Sequence, residues 1–130
     1  MSEDDKQVII GTYELGWQNV QLVLRSGTGG NFYMLPGDIK EPRIKVGADY
    51  DKFWQVIACL LHEAEELAMA IRMCRYTPED DVMGDIHAYT FFMTHSQFHD
   101  VQAATGYYLV SCWDDLKKEW EEWKKATKKE

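Results

Sequence analysis

Residues Asp51 to Arg75, DKFWQVIACLLHEAEELAMAIRMCR, decide how this chain folds. Phe53, Val56, Ile57, Leu60, Ala64, Leu67, Ala68 and Ile71 recur at three- and four-residue steps, the spacing of one face of a helix. Asp49 is placed to cap the helix start through its side-chain oxygen. Pro78 limits the other end to about Arg75. The opposite side carries Gln55, Cys59, His62, Glu66, Met69, Ala70 and Met73. Too little charge lies there for a solvated face, so a second layer, such as another helix, is expected to cover it. Glu63, Glu65 and Arg72 fall between the two faces.

Upstream the periodicity changes. Gln7–Leu15 and Asn19–Arg25 are rich in β-branched residues and partly alternate, as strands do. Gly16 and Trp17 separate them closely enough for a hairpin. Ser26-Gly27-Thr28-Gly29-Gly30 is a turn, because glycine accepts positive φ without steric cost. No Lys-Ser/Thr and no helix follow it, which argues against a phosphate cradle. Asn31–Leu35 and Arg43–Val46 read as two further short strands, bounded by Pro36-Gly37 and by Pro42 and Gly47. Downstream, residues 77–84 form an acidic loop without the alternation and terminal Glu of a calcium loop. Ile86–Met93 has strand character. Thr94, with Gln97 three residues on, matches a capping box and opens a last helix to about Lys125. Phe98, Val101, Leu109, Cys112, Leu116, Trp120 and Trp123 are its expected buried stripe. The fold class implied is α+β: a small antiparallel sheet, from the N-terminal strands plus one later strand, packed on two long helices within one domain, residues 1–130.

Composition narrows the function. The 130 residues carry 14 basic and 22 acidic side chains, a formal charge of −8. Duplex binding needs the opposite balance, so nucleic acid is not an expected partner. Each apolar run is interrupted by Asp, Glu, His or Arg, so no membrane span is expected. The acidic start, MSEDDKQ, lacks the basic-then-apolar layout of a signal peptide, and three cysteines make an odd, unpaired set. The expectation is a cytoplasmic protein with free thiols.

Histidines supply the candidate chemistry. His62 and Glu66 stand four residues apart, one above the other on a helix, which lets one helix grip one metal ion. His95 and His99 repeat that spacing at the start of the last helix. Buried His and Glu need partners, and a metal or a mutual hydrogen bond would serve. Other sites fit less well. Ser96, His99 and Asp100, neighbours on one helix, cannot converge as a triad. Cys59 near His62 has an apolar flank that disfavours an activated thiolate. A di-iron centre needs more Glu-x-x-His pairs than the chain has.

The strand Arg43–Val46, the helix bearing Leu60-Leu61-His62-Glu63-x-x-Glu66, and the later Phe91-Phe92-Met93-Thr94-His95-Ser96-Gln97-Phe98 together resemble the minimal zincin-like metallopeptidases, of the type found in small phage and prophage proteins. The resemblance covers two short windows. It implies a zinc ion held by His62 and Glu66, Glu63 as the general base for metal-activated water, and a peptide or protein substrate. Glu66 stands where the motif has its second His, and its charge would lower the ion's Lewis acidity. A third ligand is expected from His95 or His99. If the chain is phage-encoded, it would work in the host cytoplasm. A competing possibility is a non-catalytic acidic interaction module, such as a phage-encoded inhibitor of a basic host protein. The Trp-rich last helix could bury its stripe within one chain or in a dimer.

Overall fold

A computed structural model describes residues 6–34, 42–76 and 90–128. Chain order is β1 (Gln7–Leu15), β2 (Gln18–Arg25), β3 (Gly30–Tyr33), β4 (Arg43–Gly47), α1 (Phe53–Ile71), β5 (Arg75–Tyr76), β6 (Thr90–Phe91) and α2 (His95–Lys128). The α+β class is as the sequence implies. The expected acidic loop lies outside the described residues, as does half of the expected strand Ile86–Met93.

β1 and β2 form the hairpin, with Leu15 opposite Gln18. Gly16 has φ +66°, which suits the first central position of a two-residue turn that twists with its strands. Ile10 is an extra residue between the Ile9–Val23 and Gly11–Leu22 pairs. This bulge kinks an edge strand and helps keep it from pairing with another chain.

The four-stranded sheet has the order β1-β2-β4-β3. It is mixed, not wholly antiparallel as expected. The chain passes from β2 to the far edge, forms β3, and returns as β4 between them, so β4 runs parallel to β2 and antiparallel to β3. Among the described residues the later strand does not join this sheet either: β6 pairs with β5, where the Phe92 amide also donates to the Cys74 carbonyl at 3.0 Å.

Period-two patterning decides which sheet face is covered. Val20, Leu22, Leu24, Ile44 and Val46 are buried in the core. Gln21, Arg25, Arg43 and Lys45, of opposite parity, are only half-buried. Both helices lie on the apolar face: α2 over β1, and α1 over β4 and β3, with the helices in contact. Val56, Leu60, Ala64, Leu67 and Ala68 of α1 meet Val101, Tyr108, Cys112 and Leu116 of α2 there. Phe53 packs against Trp113 and Trp120, with ring centroids 5.5 Å apart in each case. Trp120 also donates to the Ala48 carbonyl at 3.0 Å. Trp120 and Trp123 thus pack on the chain's own core. Phe98, expected in the buried stripe, is 51% exposed.

The caps divide. Thr94 and Gln97 form the expected box: the Gln97 amide donates to Thr94 Oγ1 at 3.1 Å, and the Thr94 amide to Gln97 Oε1 at 2.8 Å. Asp49 does not cap α1. Its carboxylate accepts from the Gly27 amide and so pins the glycine turn. Lys52 is the N-cap, and its amide donates to Gln55 Oε1 at 2.9 Å. At the other end α1 stops at Ile71, short of Arg75. The Cys74 amide reaches the Met69 carbonyl at 2.7 Å and the Met73 amide the Ala70 carbonyl at 3.1 Å. Met73 takes the left-handed position between them, with φ +60°, which makes a Schellman cap without glycine.

Two substitutions probe this packing in opposite directions. A Cβ on Gly47 would run into the Gly27 carbonyl and come within 2.6 Å of Thr28 Cα. Gly47→Ala is therefore expected to destabilise by about 2–3 kcal/mol. Thr105 is buried, and among the described residues its hydroxyl has no hydrogen-bond partner. Thr105→Val removes that desolvated group at nearly constant shape and is expected to stabilise by about 1 kcal/mol. Urea unfolding of both variants checks the two signs; a Thr105→Val variant weaker than the parent would mean the hydroxyl is satisfied.

Candidate metal centre

α1 brings three of the sequence's candidates together. One ligand atom each from His62, Glu63 and Glu66 lies within 4.8 Å of the others. His62 Nε2 is 3.3 Å from Glu66 Oε2, close to the roughly 3.3 Å that separates neighbouring ligands around a tetrahedral zinc. The helix sets this pair by its four-residue step. Burial grades the three. The His62 side chain is 73% exposed and that of Glu66 17%, while Glu63 is 8% exposed.

Two of the three, His62 and Glu63, line an open pocket of about 490 Å³, which Glu66 does not reach. His62, Glu63 and Cys59 form one wall, and Gly29, Gly30 and Tyr50 the other. Gly30 has to be glycine for this approach. A Cβ there would sit 2.9 Å from both Cys59 Sγ and Glu63 Cγ, and 3.0 Å from the Lys45 carbonyl. The opposite wall is held by the Gly29 amide, which donates to the Tyr50 hydroxyl at 2.7 Å. The side of α1 expected to lie beneath another helix therefore faces β3 and solvent instead. Tyr50 and Gly30 were not singled out from sequence; the glycine turn carried the only signal for them.

His95 and His99 are not part of the grouping. Both are exposed. His99 instead lines a second pocket, with Glu14, Trp17, Asp100 and Tyr107. The cause is the placement of the helices. α1 turns its His/Glu face toward the β3 edge, whereas α2 turns His99 toward the β1–β2 turn. Where α1 and α2 do meet near those histidines, other residues do so: Arg72 Nη2 donates to Asp100 at 2.7 Å, and Gln102 to Glu65 at 2.5 Å. The expected third ligand, His95 or His99, is therefore not brought to the cluster, whose third member is Glu63.

Comparison with protein-family models, curated proteins and solved structures yields no match. Among the described residues no helix is long and apolar enough to cross a membrane.

Cysteine chemistry agrees with the apolar setting. Burial, and then the Glu63 charge, raise the Cys59 thiol above its ordinary range. Burial pushes Cys112 up to about 12. Only the thiolate attacks electrophiles, so at neutral pH neither is an activated nucleophile. Cys112 is expected to resist a thiol-reactive disulfide reagent in the native protein and to react promptly in denaturant. Rapid native labelling of Cys112, read by peptide mass spectrometry, would contradict its burial.

Proposed function

We propose that this chain is a small metal-binding protein in which His62 and Glu66 hold one zinc-type divalent cation at the β3 edge, with Glu63 beside them as the base and hydrolysis of a peptide as its activity. The convergence of an imidazole and two carboxylates on one side of α1 supports this most directly. The donor set fits zinc, which accepts His and carboxylate ligands and leaves an open position in catalytic sites. The pocket over the cluster leaves space for a substrate group. A cation held there would supply Lewis acidity. His62 and Glu66 form the closer pair and would carry the cation. Glu63, nearly buried between α1 and Gly30, is the group placed to accept a proton from the attacking water. The resemblance to zincin-like peptidases belongs to this proposal, resting on the HExxE pattern and the neighbouring sheet edge.

The test is metal content and affinity of protein prepared without a polyhistidine tag. Close to one equivalent of zinc is expected by elemental analysis. His62→Ala and Glu66→Gln should each weaken zinc binding at least about tenfold in calorimetry. Because His62 is largely exposed, its loss should alter the metal-free stability by less than about 1 kcal/mol. His95→Ala and His99→Ala should leave affinity unchanged. Sub-stoichiometric binding that His62→Ala does not reduce would defeat the proposal.

A further inference from the structure

The second pocket has a different chemistry and no dependence on the metal cluster. It is a recess of about 480 Å³ between the β1–β2 turn and the second and third turns of α2. Two aromatic rings stand at it, Trp17 and Tyr107, and both are well exposed, at 68% and 60%. Glu14 and Asp100 add two carboxylates, and Ala103 and Ala104 leave room between them. His99 also borders it, and among the described residues no Lys or Arg lines it.

One cation already uses part of this arrangement. The Arg72 guanidinium carbon lies 4.6 Å from the centroid of the Trp17 ring. Its Nη2 is 2.7 Å from Asp100 Oδ2. A guanidinium from within the chain is thus held by an indole face and a carboxylate together. Planar guanidinium stacks on aromatic rings and pairs with carboxylates through a fixed fork of donors. Arg72 sits against Trp17 and Asp100 at the edge of the recess and is not among the residues that line it. Glu14, Tyr107 and the rest of the exposed Trp17 ring remain, and they offer the same combination a second time.

From this juxtaposition we propose that the Trp17–Tyr107 recess is a docking site for an arginine side chain of a basic partner protein, its guanidinium stacked on the aromatic rings and paired with Glu14. The net charge of −8 favours the encounter with a basic surface. The rings give the site its preference for arginine over lysine, since a compact ammonium gains less from stacking and keeps its hydration more tightly.

The probe is a short capped Gly/Arg peptide, titrated at about 0.15 M salt, where exposed long-range attraction is largely screened. Matched Lys and citrulline peptides run beside it; citrulline keeps the shape of arginine and removes the charge. Binding is followed by the indole N–H resonance of Trp17, assigned from Trp17→Leu. Saturable shifts with the Arg peptide are expected, weaker ones with Lys and none with citrulline. Trp17→Leu, Tyr107→Leu and Glu14→Gln should each weaken binding roughly fivefold or more, judged by shifts of the remaining resonances. Glu121→Gln and Glu122→Gln, exposed and distant in sequence, serve as charge controls and should change nothing. All three recess positions are exposed, and an unchanged circular dichroism spectrum confirms that the variants fold. Equal response to Arg and citrulline, equal affinity for Arg and Lys, or a loss on Glu121→Gln and Glu122→Gln matching that of Glu14→Gln would each overturn the proposal. So would Trp17→Leu binding as tightly as the parent.

Discussion

One buried hydrogen bond fixes where the two helices can lie. Tyr108 is wholly inaccessible, and its hydroxyl donates to the Val20 carbonyl at 3.0 Å. Val20 pairs with Tyr13 in the β1–β2 ladder, so the phenol ties α2 to the backbone of the hairpin. A buried phenol left without an acceptor would cost on the order of 1–3 kcal/mol. Burial raises the Tyr108 phenol far above its ordinary range, so it stays protonated and remains a donor. The Tyr13 ring meets Tyr108 edge-on, 5.9 Å between centroids, and the Tyr13 hydroxyl donates to Asp115 at 2.7 Å. Together these contacts hold α2 over β1 and β2. With that half of the sheet covered, the remaining apolar surface of β4 falls to α1.

That division also explains why the histidines do not converge. Two helices side by side on one sheet face have one inner flank each and one outer flank each. The inner flanks meet through apolar stripes and polar bridges such as Arg72–Asp100. His62 lies on the outer flank of α1 beside β3, and His99 borders a pocket built on the β1–β2 turn. Helical periodicity places both pairs correctly on their own helices. It carries no information about which flank meets the neighbouring helix, and the His/Glu grouping is therefore drawn from α1 alone, with Glu63 in the cluster.

Local signals in the sequence were legible where one residue type satisfies one backbone demand. Gly16 in the hairpin turn and the Thr94–Gln97 box are such cases. The end of α1 was not, because Met73 occupies the left-handed position that glycine normally marks. Asp49 had the chemistry of a cap, but the Gly27 amide competes for the same carboxylate and wins it. Long-range pairing was the other blind spot. Each strand was visible from its own pattern, yet the return of the chain between β2 and β3 depends on which apolar faces share a core. The stripe of α2 was blurred for a similar reason: Tyr108 and Thr105 are polar at one end, and only tertiary contact reveals that both are buried.

The early end of α1 has a further consequence for the surface. The Schellman turn makes Arg72 the C-cap residue, just beyond the last helical position, and Met73 then redirects the backbone into β5. Arg72 reaches across to Trp17 in the β1–β2 turn and to Asp100 on α2, linking three elements that no strand pairing connects. Its ion pair with Asp100 is one-third exposed on both sides, so by itself it contributes little to stability. Stacking on Trp17 adds an orientation that a surface ion pair lacks. A left-handed methionine, costly where it stands, is thus tied to the same structural feature that orders the aromatic rim. Among the described residues one open pocket borders α1 at the β3 edge, beside the His62, Glu63 and Glu66 cluster, and another of nearly equal size, aromatic and acidic, borders α2 at the β1–β2 turn.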